Sequence, residues 1–385
     1  MKNQIVLGSF FGDEGKGATV QWLCKKAIED NKKPIVIRFS GGPQAGHRVI
    51  NDNVEHVCSS FGSGVLLNVP TILRNTVMVD PIAMKIEYDE LRHKGITPSL
   101  YIQLLCRVIT PYDVLNNIND SQTLANGSCG MGIYSTFKRY RSKTFFPTIV
   151  FASSHPEEYL KDVREYYKIE DSQRNFELED RFIEACNWIE SNKFISPLDL
   201  LEPEEGPEYV YIWEGSQGLL LDMEYGFMPH CTPSKTGLNG IPDEYLQDSE
   251  VFFVMRSYLT RHGNGFIPIG KDIISRKYIN LEESTNKTDK YQGVFKIGIF
   301  DLSLLKRVSD RHCLDNYKHS YNLKFNVVMN HIDCIKDKFY YTEDGKTISW
   351  LQNDDNVESI KIKVQKVFDF NSFYAGFKHD DIVEI

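Results

Sequence analysis

An α/β fold built around a mostly parallel sheet is predicted by three features of the chain. Short β-rich apolar runs alternate with loops and helical stretches. The first run opens through a glycine-rich loop into a periodic helix, and no linker divides the 385 residues.

The strand candidates are Ile5–Leu7, Ile35–Ile37, Val77–Val79, Tyr209–Trp213, Val251–Met255 and Phe325–Met329. Each is continuously apolar rather than alternating, as strands covered on both faces are. The clearest helix follows the first loop, where Val20, Leu23, Cys24, Ala27 and Ile28 recur at helical spacing on one face. The absence of Pro/Gly/Ser-rich tracts, repeats and low complexity predicts a single elaborated domain over residues 1–385. In such a fold, ligands gather beyond the carboxyl ends of the strands.

A hydrophobic content of 41% gives material for a large core. Forty-four basic against fifty-three acidic residues leave a net charge of -9, which argues against general affinity for nucleic acid or an anionic membrane. Phosphate binding therefore has to be local. No long apolar segment suggests a signal peptide or a membrane span, and eight cysteines without CxxC pairs suggest neither zinc site nor disulfide framework. These features fit a cytoplasmic protein with reduced thiols. The acidic stretches Glu202 to Glu208 and Glu343 to Glu358 read as solvated loops or insertions, and Phe145, Phe146, Phe252 and Phe253 as core. Residues 368–385 offer no motif.

Two loops carry chemistry. Strand Ile5–Leu7 opens into Gly8-Ser9-Phe10-Phe11-Gly12-Asp13-Glu14-Gly15-Lys16-Gly17 and then the helix. Its glycines allow backbone to approach a polyanion, while Lys16 and the helix N-terminus supply positive potential. Two residues rather than four separate Gly12 from Gly15-Lys16, so the spacing departs from the Walker pattern of simple P-loop kinases, and an ordinary glycine-rich turn is the alternative. Asp13 weighs against that alternative, because a carboxylate inside an anion-binding loop is costly unless it holds a metal or moves a proton. Strand Ile35–Ile37 opens into a second such loop, Arg38-Phe39-Ser40-Gly41-Gly42-Pro43-Gln44-Ala45-Gly46-His47, whose terminal histidine is a candidate acid.

The two loops together resemble the signatures GDEGKG and GGxNAGH of the adenylosuccinate synthetase family. Further segments match in the same order: Gly127-Ser128-Cys129-Gly130-Met131-Gly132 resembles GTTGRG, Glu214-Gly215-Ser216-Gln217-Gly218 resembles EGAQG, Pro229 to Ser234 is similar to PFVTSS, and Tyr258 to Gly265 to YTTRxGAG. The resemblance implies a ligase that phosphorylates O6 of a 6-oxopurine nucleotide and lets the aspartate amine displace phosphate at C6. By that resemblance Asp13 takes the N1 proton and binds Mg2+, with the Gly46 carbonyl as a second metal contact. His47 acts on O6, Lys16 neutralises phosphate charge, and Gln217 completes the catalytic set. Gly12, Gly15 and Gly17 form the phosphate loop, and Gln44, Ser128, Cys129, Gln217 and Thr232 line the acceptor nucleotide. Asn330-His331-Ile332-Asp333 resembles the NKxD guanine reader, which makes GTP the expected donor, with ATP as the alternative and Asn330 and Asp333 as nucleotide-binding residues. Family members work as homodimers, to which Lys143 or Arg141 would contribute a basic side chain across the interface.

The sequence also departs from the family. Where members read like TGRxRRTGWLD, the corresponding stretch from Thr288 to Asp301 lacks the arginine cluster, leaving Lys296 and Lys290 as the cations expected to bind aspartate. Gln44, Cys129 and Met131 stand for Asn, Thr and Arg. This pattern is similar to the branch that includes phage 2-aminoadenylosuccinate synthetases, which take dGMP or GMP; many of those lack the loop carboxylate that Asp13 supplies here. The expectations are dGMP or GMP as acceptor, IMP as the alternative, and, in another class, a GTP-binding regulatory or defence protein without the reaction.

Overall fold

The computed structural model describes residues 2–121, 125, 127–142, 147–196, 206–268, 295–335, 338–343, 346–351, 356–377 and 381–385. Ten strands form the central sheet: β1 (Lys2–Gly8), β2 (Lys33–Arg38), β3 (Thr71–Leu73), β4 (Leu100–Gln103), β5 (Ile195–Ser196), β6 (Tyr209–Gly218), β7 (Glu250–Arg256), β8 (Lys324–Asn330), β9 (Ser372–Gly376) and β10 (Ile382–Glu384). Their order is β10-β9-β8-β7-β1-β6-β2-β3-β4-β5. All neighbours are parallel except β9 and β10. The predicted α/β class with a mostly parallel sheet is what the chain adopts.

The strands are apolar throughout because both faces are covered. Ile5, Leu7, Trp213, Phe253 and Val327 point into one cluster, which also holds Leu302, Leu305 and Val308 of helix Leu302–Arg311. Their neighbours Val6, Ile212, Phe252 and Val328 point the other way, onto Val20, Leu23, Cys24 and Ala27 of helix α1 (Lys16–Glu29). Successive strand residues face opposite sides, so one run of branched residues serves two cores.

The chain leaves β1 for β2, continues outward to β5, returns to insert β6 between them, and then builds β7 to β10 on the other flank. A crevice forms at such a reversal. Register aligns the site: Val6 of β1 sits opposite Glu214 of β6, and Glu214 opposite Arg38 of β2. On the far side Arg256 of β7 pairs with Asn330 of β8.

Two expectations need correction. Val77–Val79 contributes only a two-residue strand, Met78–Val79, paired with Arg107–Val108 outside the central sheet, while β3 at 71–73 takes the place expected of it. The acidic region near 343–358 is not simply loop: Lys338–Glu343 and Lys346–Leu351 form an antiparallel pair, followed by helix Asn356–Gln365. Residues 368–385 hold two strands of the sheet. Phe252 and Phe253 are core, as expected; Phe145 and Phe146 lie outside the described residues. Among the described residues no helix is long and apolar enough to cross a membrane.

Candidate functional site

The first loop leaves β1 and enters α1 through left-handed backbone at Gly12 (φ 94°), Asp13 (φ 57°) and Gly15 (φ 92°). For Asp13 this is a conformation that residues other than glycine seldom take, and it turns the carboxylate, 34% exposed, to the crevice. Asp13 Oδ2 lies 3.1 Å from His262 Nε2. Burial would raise the Asp13 carboxyl, but the hydrogen bond and charge of His262, with Arg256 and Lys16, outweigh it and hold it below the ordinary 3.8. Lys16, on the first turn of α1, is buried, with Nζ 3.8 Å from Glu14 Oε2.

Glu14 behaves in the opposite way. Its Oε1 accepts from Phe10 N, and its Oε2 is buried with no hydrogen-bond partner among the described residues. Burial pushes its carboxyl up to about 7 despite Lys16. The loop is braced by its neighbours: Asn330 Nδ2 donates to Glu14 O at 2.9 Å, Thr260 Oγ1 to Gly12 O at 3.2 Å, and Leu220 N to Phe10 O at 2.9 Å. A Cβ on Gly218 would lie 2.2 Å from Phe10 O and 2.7 Å from Gly12 N, so only glycine lets β6 come this close to the loop.

The second loop packs against the first: a Cβ on Gly17 would lie 3.0 Å from His47 Cβ. His47 is buried and pairs through Nδ1 with Glu214 Oε1, while Nε2 lies 3.3 Å from Ser216 O. Glu214 also accepts from Ser63 N at 3.0 Å and from Ser63 Oγ. Burial alone would raise the Glu214 carboxyl; the charge and hydrogen bond of His47, with Arg38 and Ser63, hold it at about 2. Burial pushes the His47 ring below 6.5; Glu214 opposes this, and Lys16 and Arg38 add to it. An imidazole so placed, with a carboxylate behind it, has its ring orientation fixed by that hydrogen bond. Arg38 staples the arrangement by donating to Ser59 O, Phe61 O, Ala45 O and Ser216 Oγ.

The remaining expected residues fall into three groups. Gln44 and Gln217 line the same loops, and both amide atoms of Gln44 and Oε1 of Gln217 are buried without a hydrogen-bond partner among the described residues, as groups reserved for a ligand are. Ser128 Oγ bonds Asn117 Nδ2 at 3.0 Å, and Cys129 follows on the same half-buried loop. That loop docks on the segment after β7, with Asn264 Nδ2 donating to Ala125 O at 2.8 Å. Thr232 is buried and its amide donates to Leu221 O at 2.8 Å; the Gly46 residue is exposed. Asn330 is buried beneath the first loop, and Asp333 is exposed in the turn after β8. Strand Phe295–Gly298 pairs antiparallel with Leu259–His262, which sets Lys296 opposite Arg261. Lys296 Nζ reaches Gly265 O at 3.1 Å. Lys290 and Lys143 lie outside the described residues, and Arg141 ends helix Ile133–Arg141.

Several residues of the site were not assigned a role from sequence. Glu214 heads its motif, and a carboxylate directly after the apolar run Tyr209–Trp213 is itself a signal. His262 falls on the unspecified position of the YTTRxGAG pattern. Ser63 carries no sequence signal. A further cluster, His56, Cys58 and Glu87, has ligand-type atoms within 4.8 Å of one another. The Glu87 carboxylate is occupied by the amides of Ser59, Ser60 and Phe61, and burial pushes the Cys58 thiol well above 9.0, so it reads as a structural knot.

Comparison with known proteins agrees with this geometry. The model of the family described as adenylosuccinate synthetase matches residues 5–381. Adenylosuccinate synthetases of Marinomonas sp. (strain MWYL1) and Proteus mirabilis (strain HI4320) are each 31% identical over 69% of this chain and 64% of their own length. The matched stretch therefore spans less than two thirds of these relatives. Among solved structures, the fully ligated adenylosuccinate synthetase from Plasmodium falciparum superposes with a TM-score of 0.75 at 16% identity, covering 99% of both chains. The cyanophage S-2L succinoaminodeoxyadenylate synthetase, solved with dGMP and with dATP as energy donor, gives 0.66 at 14% identity, covering 100% of this chain and 95% of that one. Glycine-rich loops brought together at the carboxyl edge of the sheet, and a family match over nearly the whole chain, place this protein in the adenylosuccinate synthetase family.

Proposed function

We propose that this chain is a GTP-dependent carbon-nitrogen ligase that joins L-aspartate to C6 of a 6-oxopurine nucleoside monophosphate, with dGMP or GMP preferred as acceptor. The observation that carries the reading is the packing of a lysine-bearing phosphate loop against the His47–Glu214 pair, with Asp13 on the same loop. Phosphoryl transfer to O6 needs a base for N1, an acid near O6 and positive charge for the phosphates. Asp13, held ionised, takes the N1 proton; His47 Nε2 supports O6; Lys16 and the N-terminus of α1 receive the phosphates. Gln44 and Gln217 turn unpaired amide atoms to the acceptor nucleotide, and Lys296, beside Arg261, is the cation offered to the aspartate carboxylate. Asp13 and the carbonyl of Gly46, an exposed residue, are hard oxygen donors, which suits Mg2+; that ion would neutralise charge on the transferred phosphate. Asn330 and Asp333 at the end of β8 favour GTP over ATP as donor. The reading includes a cytoplasmic homodimer, as in the family.

The preference for a guanine nucleotide rests on the altered pocket residues Gln44, Cys129 and Met131. It is supported by the likeness in fold to a cyanophage enzyme whose ligand is dGMP. A second reading, IMP as acceptor, is favoured by the retained Asp13 and by the bacterial relatives. The test is to supply Mg2+, GTP and aspartate with IMP, GMP or dGMP in parallel, to repeat with ATP, and to weigh the product. A succinylated product from dGMP or GMP is expected. Product from IMP alone establishes the second reading, and no product from any acceptor overturns the ligase assignment.

A further inference from the structure

We propose that His262 is a metal ligand. With Asp13 it forms a mixed nitrogen and oxygen site that binds Mn2+ or Co2+ in preference to Mg2+. Only the purpose of the ion rests on the ligase reading; its binding does not.

His262 Nε2 and Asp13 Oδ2 are 3.1 Å apart. Two ligands at right angles on an octahedral ion, each at about 2.1 Å, are separated by roughly 3.0 Å. An ion can therefore take both atoms without rearranging either chain segment, its binding releasing to solvent the Nε2 proton that otherwise bridges the two. Both ligands are held from behind. Asp13 is fixed by its left-handed backbone, and Thr260 ties the neighbouring Gly12 carbonyl to the strand that carries His262. The His262 ring lies 4.7 Å from that of Phe295, its partner across the strand pair. Both side chains reach solvent, His262 by 20% and Asp13 by 34%.

An imidazole nitrogen changes the chemistry of the site. Mg2+ favours oxygen ligands, whereas imidazole suits later divalent ions, whose affinity for nitrogen rises along the first transition row. Lys16 and Arg256 add positive potential at Asp13, so the ion binds best together with the negative charge of a nucleotide diphosphate or triphosphate.

The test uses the full chain with Mn2+ and GDP, read by pulsed electron paramagnetic resonance. Directly bound imidazole gives a 14N hyperfine modulation. It is expected in the wild type, to change to the 15N pattern when histidine alone is labelled with 15N, to persist in His47→Asn and to vanish in His262→Val. That last variant should also lose about tenfold or more in Mn2+ affinity, with Mg2+ affinity little changed. The labelling needs no variant, so a misfolded His262→Val leaves the measurement intact. Bound Mn2+ without histidine coupling, or coupling that survives in His262→Val, overturns the proposal. Succinylated product formed with Mg2+ in the same preparations reports separately on the ligase reading.

Discussion

Replacing Glu214 by glutamine keeps its shape and removes its charge, and the structure gives the size of the effect. The carboxyl is held at about 2 against an ordinary 4.5, chiefly by His47 and Arg38 working against burial. That difference corresponds to about 3 kcal/mol of preference for the ionised form in the folded state. Because the folded value is the lower one, the contribution is complete above 4.5 and is lost as pH falls through about 2. Glu214→Gln should therefore lower unfolding free energy in urea by about 3 kcal/mol at pH 7, with the loss shrinking as pH falls from 4.5 towards 2. The same variant leaves the His47 ring without its orienting charge, so product formation should fall by about 10² to 10⁴. A destabilisation that does not change with pH, or a variant with unaltered turnover, would refute the coupling between Glu214 and His47.

Glu14 gives the opposite sign. Its folded value of about 7 lies above 4.5, so the folded protein holds an extra proton in that window and loses stability as pH rises through it. Glu14→Gln should stabilise the nucleotide-free protein by up to about 3 kcal/mol at pH 8, with the gain vanishing towards pH 4 in matched urea titrations. Asp13→Asn should reduce product formation by about 10² to 10⁴, while calorimetry still detects nucleotide binding through the loop amides and Lys16. Gly218→Ala places a Cβ 2.2 Å from Phe10 O and should cost about 1 to 3 kcal/mol in thermal or urea unfolding, with weakened triphosphate binding because the loop is displaced.

The sheet was legible where burial on both faces makes a strand continuously apolar. β1, β2, β6, β7 and β8 all follow that rule, and they are the strands nearest the reversal in chain order. β3 and β4 are short, Thr71–Leu73 and Leu100–Gln103, and are shaped by packing against helices Pro81–His93 and Phe176–Ser191 rather than by local pattern. β9 lies at 372–376, where Phe373 and Ala375 are buried but Ser372 and Tyr374 are not, so its pattern is too brief to read alone. In the strand pair at 338–351 the cross-strand pairing and the burial of Phe339 and Tyr341 in the core hold a segment whose ends, Lys338, Glu343 and Lys346, are charged.

The site divides along similar lines. Loops that must touch a polyanion announce themselves, because glycine, lysine and an out-of-place carboxylate have few other reasons to sit together, and the structure brings Gly12 to Gly17 and His47 into one wall. What sequence does not encode locally is which charge stands behind which. Glu214 meets His47 only because β6 is inserted between β1 and β2, 167 residues further along the chain, and Ser63 joins them from a separate loop. The same holds for His262, whose partner Asp13 belongs to the first loop while its own strand, Leu259–His262, lies outside the central sheet and pairs with Phe295–Gly298. Orientation of the acid, ionisation of the base and the ligand set for an ion are properties of register between distant strands. The residues of such a site can be named from motifs, but their protonation states follow only once the sheet order puts each carboxylate beside its cation.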